Sequence, residues 1–409
     1  MNTRTDLIPE HSLGDSAVDK PLATAVRRLA RDDFDRDVWC VLGAPIDLTD
    51  LPQAVNTVES AVRDGERLSF VTPNVNWLVR ALKGAEARRQ IIDADLSLAD
   101  GAPIVALAKL MGAPIAERVA GSDLFEALRL RPAFGSPLKV FFFGGRDGAA
   151  EAAHASVNAD QSGLVSVGWL NPGFGDVEAM SADAIIDEIN AADPDFIVVS
   201  LGAAKGQAWI DRNQNRLTAS AIAHLGAVVD FTAGTIERAP RWMANSGLEW
   251  LWRIKAEPSL WKRYAGDAWA LFSITVRRLP TQLLARPKRN PHVETAATVE
   301  RTATEAVITL AGDITRDRLE PVRAAFREAA AMGVRVRLDL KEVGAIDRAF
   351  LGLVLMLEKH ATRAGNAVVL SHAAPDALRL FRVNAMDYRL VQDAGESMRP
   401  TGSARAAVS

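Results

Sequence analysis

Cysteine is nearly absent from this chain of 409 residues. Cys40 stands alone, which excludes an internal disulfide and any multi-cysteine zinc or iron–sulfur centre. The six histidines form no HxxxH or HxH pair, so no helix face presents a zinc-binding pair, and no metal or other cofactor is expected. No apolar run approaches the ~18–20 residues that span a bilayer. The start, Met1 to Glu10, mixes acidic with basic side chains, unlike a secretory signal, so an intracellular setting is expected. What is present is ordinary for a globular protein: 48% hydrophobic and 24% charged residues, with 28 Gly and 19 Pro. Disorder throughout, collagen repeats and a coiled-coil rod are thereby excluded. At ~150 residues per domain the length fits two or three domains.

The net charge of −3 conceals a segregation. Between Arg238 and Arg289 stand eleven basic residues against only Glu249, Glu257 and Asp267, so this stretch carries +8 and the remainder −11. The same stretch holds Trp242, Trp250, Trp252, Trp261 and Trp269, five of the nine tryptophans. Basic residues interleaved with tryptophan suit a helix lying on an anionic membrane. They also suit a packing face backed by a solvated basic face, or phosphate contacts with base stacking on nucleic acid. Membrane contact is the leading expectation, and no nucleic-acid partner is expected.

Short apolar runs alternate with helical patterns from Val38 onward. The expected strands are Val38–Leu42, Leu68–Thr72, Leu96–Ala99, Leu138–Phe143, Leu164–Trp169, Phe196–Leu201 and Ala227–Phe231. Such alternation predicts a mostly parallel, Rossmann-like α/β sheet covered on both faces by helices. The pattern then turns helical, with Pro258 and Pro280 as expected breaks. A smaller α/β unit with its own strands and helices follows. The expected division is a flexible leader (1–36), an α/β core (37–235), a basic helical appendage (236–284), a linker (285–300), the second α/β unit (301–394) and a disordered tail (395–409).

Ligands of parallel sheets bind where strands end, which singles out Thr72-Pro73-Asn74, Asp100-Gly101, Gly144-Gly145-Arg146 and Gly202. Asp100 follows a strand and precedes Gly101. It suits a general base for an attacking hydroxyl, or equally a cap on the next helix. Thr72 and Asn74 offer a hydroxyl and an amide suited to sugars or nucleosides, and also to a capped turn without ligand. Arg118, Ser122 and Asp123 could line a pocket or form an ordinary ion pair and helix start. Phe143-Gly144-Gly145-Arg146 is a strand running into a glycine turn, where backbone N–H groups can approach a phosphate. It is neither GxGxxG nor GxxxxGK[ST], so no dinucleotide or Walker loop is signalled there.

Together these segments resemble the WecG/TagA/CpsF family, glycosyltransferase family 26. The resemblance rests on Thr72-Pro73-Asn74, Ala99-Asp100-Gly101, Glu117-Arg118-Val119-Ala120-Gly121-Ser122-Asp123, Phe142-Phe143-Gly144-Gly145 and Asn171-Pro172-Gly173-Phe174. It rests most specifically on Ala233-Gly234-Thr235, Arg238-Ala239-Pro240-Arg241-Trp242-Met243 and Gly247-Leu248-Glu249-Trp250-Leu251, and spans roughly Val38–Phe272. It implies an inverting glycosyltransferase moving a sugar from a UDP-sugar donor to a polyprenyl-diphosphate-linked acceptor in surface polysaccharide synthesis. The site implied is peripheral, on the inner face of the cytoplasmic membrane. By the same resemblance Asp100 is the catalytic base, and Thr72, Asn74 and Arg118 are pocket residues. Ser122 and Asp123 join the candidate substrate site beside Arg118, and Gly144 and Gly145 through the glycine turn, where the donor's diphosphate would sit. Arg253 and Arg263 become candidates to meet the diphosphate.

The family pattern GxPxQE is departed from at Gly202-Ala203-Ala204-Lys205-Gly206-Gln207, where Gly206 stands at the Gln position and Gln207 at the Glu position. Gln207 could still reach the sugar. The departure also motivates a second reading, a catalytically silent scaffold that binds nucleotide-sugar or lipid and recruits partners through its tail.

That tail, from Thr304 to about Asp393, resembles a STAS domain through Val307–Gly312, Val336–Leu340, Ile346-Asp347 and Gly365–Leu370. Members with a phosphorylation switch carry Ser after that Asp. Arg348 here has no hydroxyl to modify, so a docking or self-association module is expected, with Arg348 meeting a partner's carboxylates. Removal of residues 300–409 is expected to leave membrane binding intact.

Overall fold

The computed structural model describes residues 29–132, 136–160, 162–240, 243, 249–256, 258, 260–284 and 294–386. Most of the expected leader and the whole of 395–409 lie outside these residues, as do Arg241, Trp242 and Glu257.

The first unit opens with β1 (Leu29–Ala30), a hairpin of β2 (Val38–Val41) and β3 (Ala44–Asp47), then α1 (Leu51–Arg63) and β4 (Glu66–Val71). There follow α2 (Val75–Lys83), α3 (Ala85–Ile92), β5 (Leu96–Ser97), α4 (Ala102–Leu110), α5 (Gly121–Leu130) and β6 (Leu138–Gly144). The unit continues with α6 (Ala149–Asp160), β7 (Leu164–Leu170), α7 (Asp183–Ala191), β8 (Phe196–Ser200), α8 (Ala203–Asn213), β9 (Ala221–His224) and α9 (Gly226–Thr232). Strands β4, β9, β8, β6 and β7 lie side by side in that order, all parallel, with β1 and β5 both pairing the outer side of β4. Every carboxyl end therefore opens on one edge.

The apolar runs that predicted buried strands are divided by the pleat. Val140, Phe142, Phe196 and Val198 pack on one face with Phe125 and Leu128. Phe141, Phe143, Ile197 and Val199 pack on the other with Trp209 and Ile210. The rings of Phe143 and Trp209 stack with centroids 4.2 Å apart. A strand buried on both faces can be apolar at every position, which is why these elements were plain in the sequence.

Several expectations need correction. Val38–Leu42 is no member of the parallel sheet but half of the β2–β3 hairpin, closed by Leu42 and Gly43 at positive φ. Ala227–Phe231 is helix α9, and the strand is the preceding Ala221–His224. A short apolar run reads alike in both periods, and here Val228 and Val229 are buried from a helix. Within the expected leader, Leu29–Ala30 form β1 and Asp32 caps a 3-10 turn (Asp33–Asp35) that buries Phe34. The linker expected to reach residue 300 ends earlier, in a strand from Ala296.

After the sheet come α10 (Glu249–Ala256) and the long α11 (Leu260–Leu284), separated at Pro258 as expected; α11 runs on through Pro280. The second unit has β10 (Ala296–Arg301), β11 (Glu305–Ile314), α12 (Glu320–Ala331), β12 (Arg335–Ile346), α13 (Arg348–Arg363), β13 (Val368–Ser371) and α14 (Pro375–Val383). Its four strands stand in the order β10-β11-β12-β13, with only β10 antiparallel to its neighbour.

This second sheet is separate, but its core is not. Leu351, Leu353, Val354 and Leu355 of α13 belong to one continuous apolar cluster with Trp39, Cys40, Val41, Ile91 and Ile104 of the first unit. At Gly352 a Cβ would stand 2.6 Å from the Val38 carbonyl oxygen, so glycine lets α13 press against β2. Within the contact, the fully buried Lys359 donates to Asp33 (2.8 Å), Asp95 (2.9 Å) and the Ala94 carbonyl (3.0 Å). Arg36 donates to Asp33 (2.9 Å), Asp47 (2.7 Å) and the same carbonyl (2.9 Å). Arg316 pairs with Asp37, and Arg327 with Asp32 and Asp35.

Two tail expectations change in consequence. Arg348 is half-buried beside Cys40, and burial lowers its guanidinium pKa, so the start of α13 faces the chain's own hairpin. Deleting 300–409 would strip α13 from Trp39, Cys40 and Val41, so the first unit cannot be tested alone by that truncation.

Candidate active site

Asp100 is carried to the open edge by β5. Its backbone N–H donates to the Pro73 carbonyl (3.2 Å), tying it to the segment after β4. The N-cap of α4 is Gly101, at φ +107° with Pro103 in the first turn, and Asp100 does not cap it. Among the described residues the Asp100 carboxylate accepts no hydrogen bond; the nearest cation, Arg118 Nη1, is 4.0 Å away. Its side chain is 29% exposed.

The reason Arg118 stands off is competition. Its Nη2 donates to Asp123 (2.6 Å) and its Nη1 to Glu249 (3.0 Å). Asp123 in turn meets Arg238 at 3.7 Å. Burial is the largest influence on Asp100 and pushes its pKa up to about 7; Arg118 and Arg253 oppose the rise, while Glu249 and Asp123 add to it. A carboxylate held near 7 is protonated and deprotonated in comparable amounts around neutrality, which is where a general base works best.

Thr72 directly follows β4, and its methyl would lie 3.2 Å from a Cβ at Gly121. Gly121 thus allows the start of α5, with Ser122 and Asp123, to close over the end of β4. Asn74 is exposed and caps α2, its Oδ1 accepting from the Trp77 N–H (3.1 Å). Arg253 is brought into the field of Asp100 by α10. Arg263 sits on the exposed side of α11, its guanidinium 5.2 Å from the Tyr264 ring centroid.

The glycine turn is explained by packing. A Cβ on Gly144 would stand 2.6 Å from the Ser200 carbonyl oxygen, and the Gly145 N–H donates to that same oxygen (2.7 Å). The expected phosphate-facing N–H of Gly145 is therefore committed to β8. Gln207 is buried, and its amide donates to Asp211 within α8 (2.9 Å), a place set by its position after Gly206. Among the described residues no three His, Cys, Asp or Glu side chains converge as metal ligands would. A cavity of about 110 Å³ beside the site is lined by Ser122, Phe125, Phe231, Thr232 and Arg238. That is below the ~300 Å³ at which ligand pockets begin.

Residues 39–283, more than half of the chain, match the family model for the glycosyl transferase WecG/TagA/CpsF family. The chain belongs to that glycosyltransferase family. Residues 297–392 match the Mlab STAS domain model. An N-acetylglucosaminyldiphosphoundecaprenol N-acetyl-beta-D-mannosaminyltransferase of Bacillus spizizenii is 28% identical over 216 residues, covering 53% of this chain and 82% of its own. The enzyme of the same description from Staphylococcus aureus is 26% identical over 226 residues, covering 54% and 85%. The unphosphorylated anti-sigma factor antagonist SpoIIAA aligns with 24% of this chain and 87% of its own, at 20% identity and a TM-score of 0.22.

Three residues of this glycosyltransferase escaped the sequence reading of the site. Glu249 takes a hydrogen bond from Arg118 across 131 positions; it stood in a segment of the family resemblance and is one of few acids in a basic stretch, but neither fact gave it a role in the site. Arg238 pairs with Asp123 and stacks 5.4 Å over the Phe231 ring. Asp267, another of the few acids in that stretch, accepts from Asn76 (3.0 Å) and fastens α11 to α2.

Proposed function

We propose that the protein is an inverting glycosyltransferase that moves a sugar from a UDP-sugar to a saccharide linked to a polyprenyl diphosphate, at the inner face of the cytoplasmic membrane. The observation that carries this reading is the Asp100 carboxylate: at a strand-end edge, free of hydrogen bonds among the described residues, with its pKa pushed up to about 7. In the step proposed, Asp100 takes the proton of the acceptor hydroxyl as that oxygen attacks the anomeric carbon from the face opposite UDP. The bond to the UDP oxygen breaks with its electron pair, so one displacement inverts the configuration and no covalent enzyme intermediate is needed. Arg253 and Arg238, beside the carboxylates, are suited to stabilise the charge that develops on the departing diphosphate. The relatives' acceptor, a diphosphoundecaprenol-linked N-acetylglucosamine by their names, supports the polyprenyl-diphosphate class.

Attachment to the membrane is assigned to α11. Tyr264, Leu271 and Ile274 turn inward, the last two against the core, while Trp261, Trp269 (70% exposed), Phe272 and Val276 turn outward. Positions 261, 269, 272 and 276 fall within one stripe at 100° per residue, flanked by exposed Lys262 and Arg277. No described helix is long and apolar enough to cross a membrane, so the stripe suits insertion along the surface.

The test presents a panel of UDP-sugars and a short lipid-diphosphate-linked saccharide in anionic vesicles to the full chain. One added sugar by mass spectrometry, with inverted anomeric configuration by NMR, is expected. UDP-sugar binding with no transfer from any donor would instead favour the scaffold. Co-flotation with the vesicles is expected to fall when Trp261, Trp269 and Phe272 are replaced together by Ser, and unchanged flotation would remove α11 from the attachment.

A further inference from the structure

Gly206 stands where the family pattern has a glutamine, and the fold shows what occupies the space. It lies in the first turns of α8, against His224 at the end of β9. A Cβ on Gly206 would stand 2.1 Å from His224 Cδ2 and 3.0 Å from Nε2, so any side chain there collides with the ring. On another side a Cβ on Gly226 would lie 3.4 Å from Cε1. The missing side chain at Gly206 leaves the slot that the imidazole fills, and Gly226 lies in ordinary contact on its other side.

The ring is placed for a ligand. β9 is central in the sheet, between β4 with Thr72 at its end and β8 with Ser200, so His224 lies at the carboxyl edge where parallel sheets receive ligands. No described residue hydrogen-bonds the ring, and Nε2 is buried without a partner, while the residue as a whole is half-buried. Burial pushes the ring down to about 4, so it is neutral at physiological pH. Gly202, Ala203 and Ala204, exposed at the start of α8, leave the approach open. The neighbouring Gln207 is turned to Asp211.

We propose that His224 is a donor-specificity residue: its imidazole hydrogen-bonds a hydroxyl or acylamino group of the sugar in the bound UDP-sugar, from β9, in place of the side chain missing at 206. This rests on the glycosyl-transfer reading above. A neutral imidazole donates from one nitrogen and accepts at the other, and a sugar hydroxyl does both, so either tautomer serves. The ring selects among sugars and takes no proton from the acceptor, the task of Asp100.

The experiment measures donor KM and kcat over a panel of UDP-hexoses and UDP-N-acetylhexosamines with the full chain. Dissociation constants for UDP and for each UDP-sugar are taken by calorimetry. For His224→Ala the KM and Kd of the preferred UDP-sugar are expected to rise about tenfold, the worth of one hydrogen bond. Its kcat should change less, the Kd for UDP should hold, and the ranking of donors should flatten. His224→Gln should recover part of the discrimination. The paired change Gly206→Gln with His224→Gly should keep UDP affinity and alter which sugar is preferred, and thermal melting verifies that each variant is folded. The inference is overturned if the wild type transfers sugar while His224→Ala keeps its Kd, KM and donor ranking. If the wild type binds neither UDP nor any UDP-sugar, the transfer reading itself fails and takes this inference with it.

Discussion

Two clusters of charged side chains, one at the contact between the units and one at the strand-end edge, treat their carboxylates in opposite ways. At the contact between the units, Asp33 is buried, yet His360, Lys359 and Arg36 reach it directly, and hydrogen bonds with opposite charge hold its pKa well below the usual carboxylate range. At the strand-end edge Asp100, though 29% exposed, also pays a desolvation penalty, but Arg118 is engaged by Asp123 and Glu249 and stays 4.0 Å away. Burial alone disfavours a charge; what decides the sign is whether donors complete the shell. A saturated cluster fastens parts together, whereas an unsaturated one keeps a proton exchangeable.

The largest effect that tests this contrast is on activity. Asp100→Asn keeps the shape and removes the base, so transfer is expected to fall about 10²–10⁴-fold with UDP-sugar binding retained. Full transfer by the variant would deny the strand-end cluster its chemical role. On the other side, Lys359→Met leaves Asp33 and Asp95 buried without their shared ammonium, and breaking such a pair costs about 3–5 kcal/mol. Thermal or urea unfolding should register that loss as destabilisation of both units together, because they share one core. Independent melting of 294–386 would overturn that shared-core account.

The clusters also respond oppositely to pH. Asp100 has its folded pKa raised, so between about 4 and 7 the unfolded chain ionises this group first and stability declines as pH rises through that window. Asn carries no such penalty. Asp100→Asn should therefore melt above the wild type at pH 8, by up to about 4 kcal/mol, and match it near pH 4. Asp33 has its folded pKa depressed, so its contribution is fully present above its unfolded value near 4 and is lost progressively as pH falls from there to well below the usual carboxylate range. A wild type that melts below Asp100→Asn at pH 4 as well would show the strain to be steric rather than electrostatic.

What the sequence disclosed follows the same division. Phe141–Phe143 and Phe196–Val199 were legible as strands because both their faces are buried, and Asp100 was legible because it sits between a strand and a glycine. Val228 and Val229 misled because four or five apolar residues satisfy two periods. The contact between the units was illegible: Lys359 lies 326 positions from Asp33 and 264 from Asp95, and singly the three look like solvated surface. Gly352 alone carried a trace of it, a glycine inside an otherwise strong helix pattern. The role of Glu249, though not the residue itself, was hidden for the same reason, since its meaning lies in Arg118, far away in the chain.

The finest test concerns the competition that keeps Asp100 unsaturated. Asp123 acts on it twice: its charge raises the Asp100 pKa, and its 2.6 Å bond holds Arg118 back. Asp123→Asn weakens both effects in the same direction, because the neutral amide repels nothing and accepts more weakly from the guanidinium. Asp100 should then ionise more easily, and the rising limb of kcat/KM against pH should move to lower pH by about one unit, equivalent to ~1.4 kcal/mol. The weaker base should also lower the plateau rate modestly. Arg238, paired with Asp123 at 3.7 Å, loses that partner too, so a rise in its influence on the diphosphate would appear in the donor KM and not in the limb. A limb that stays in place while Asp100→Asn abolishes it would mean that the pKa is set by burial alone, and that the crowd of carboxylates around Arg118 only positions α5 and α10.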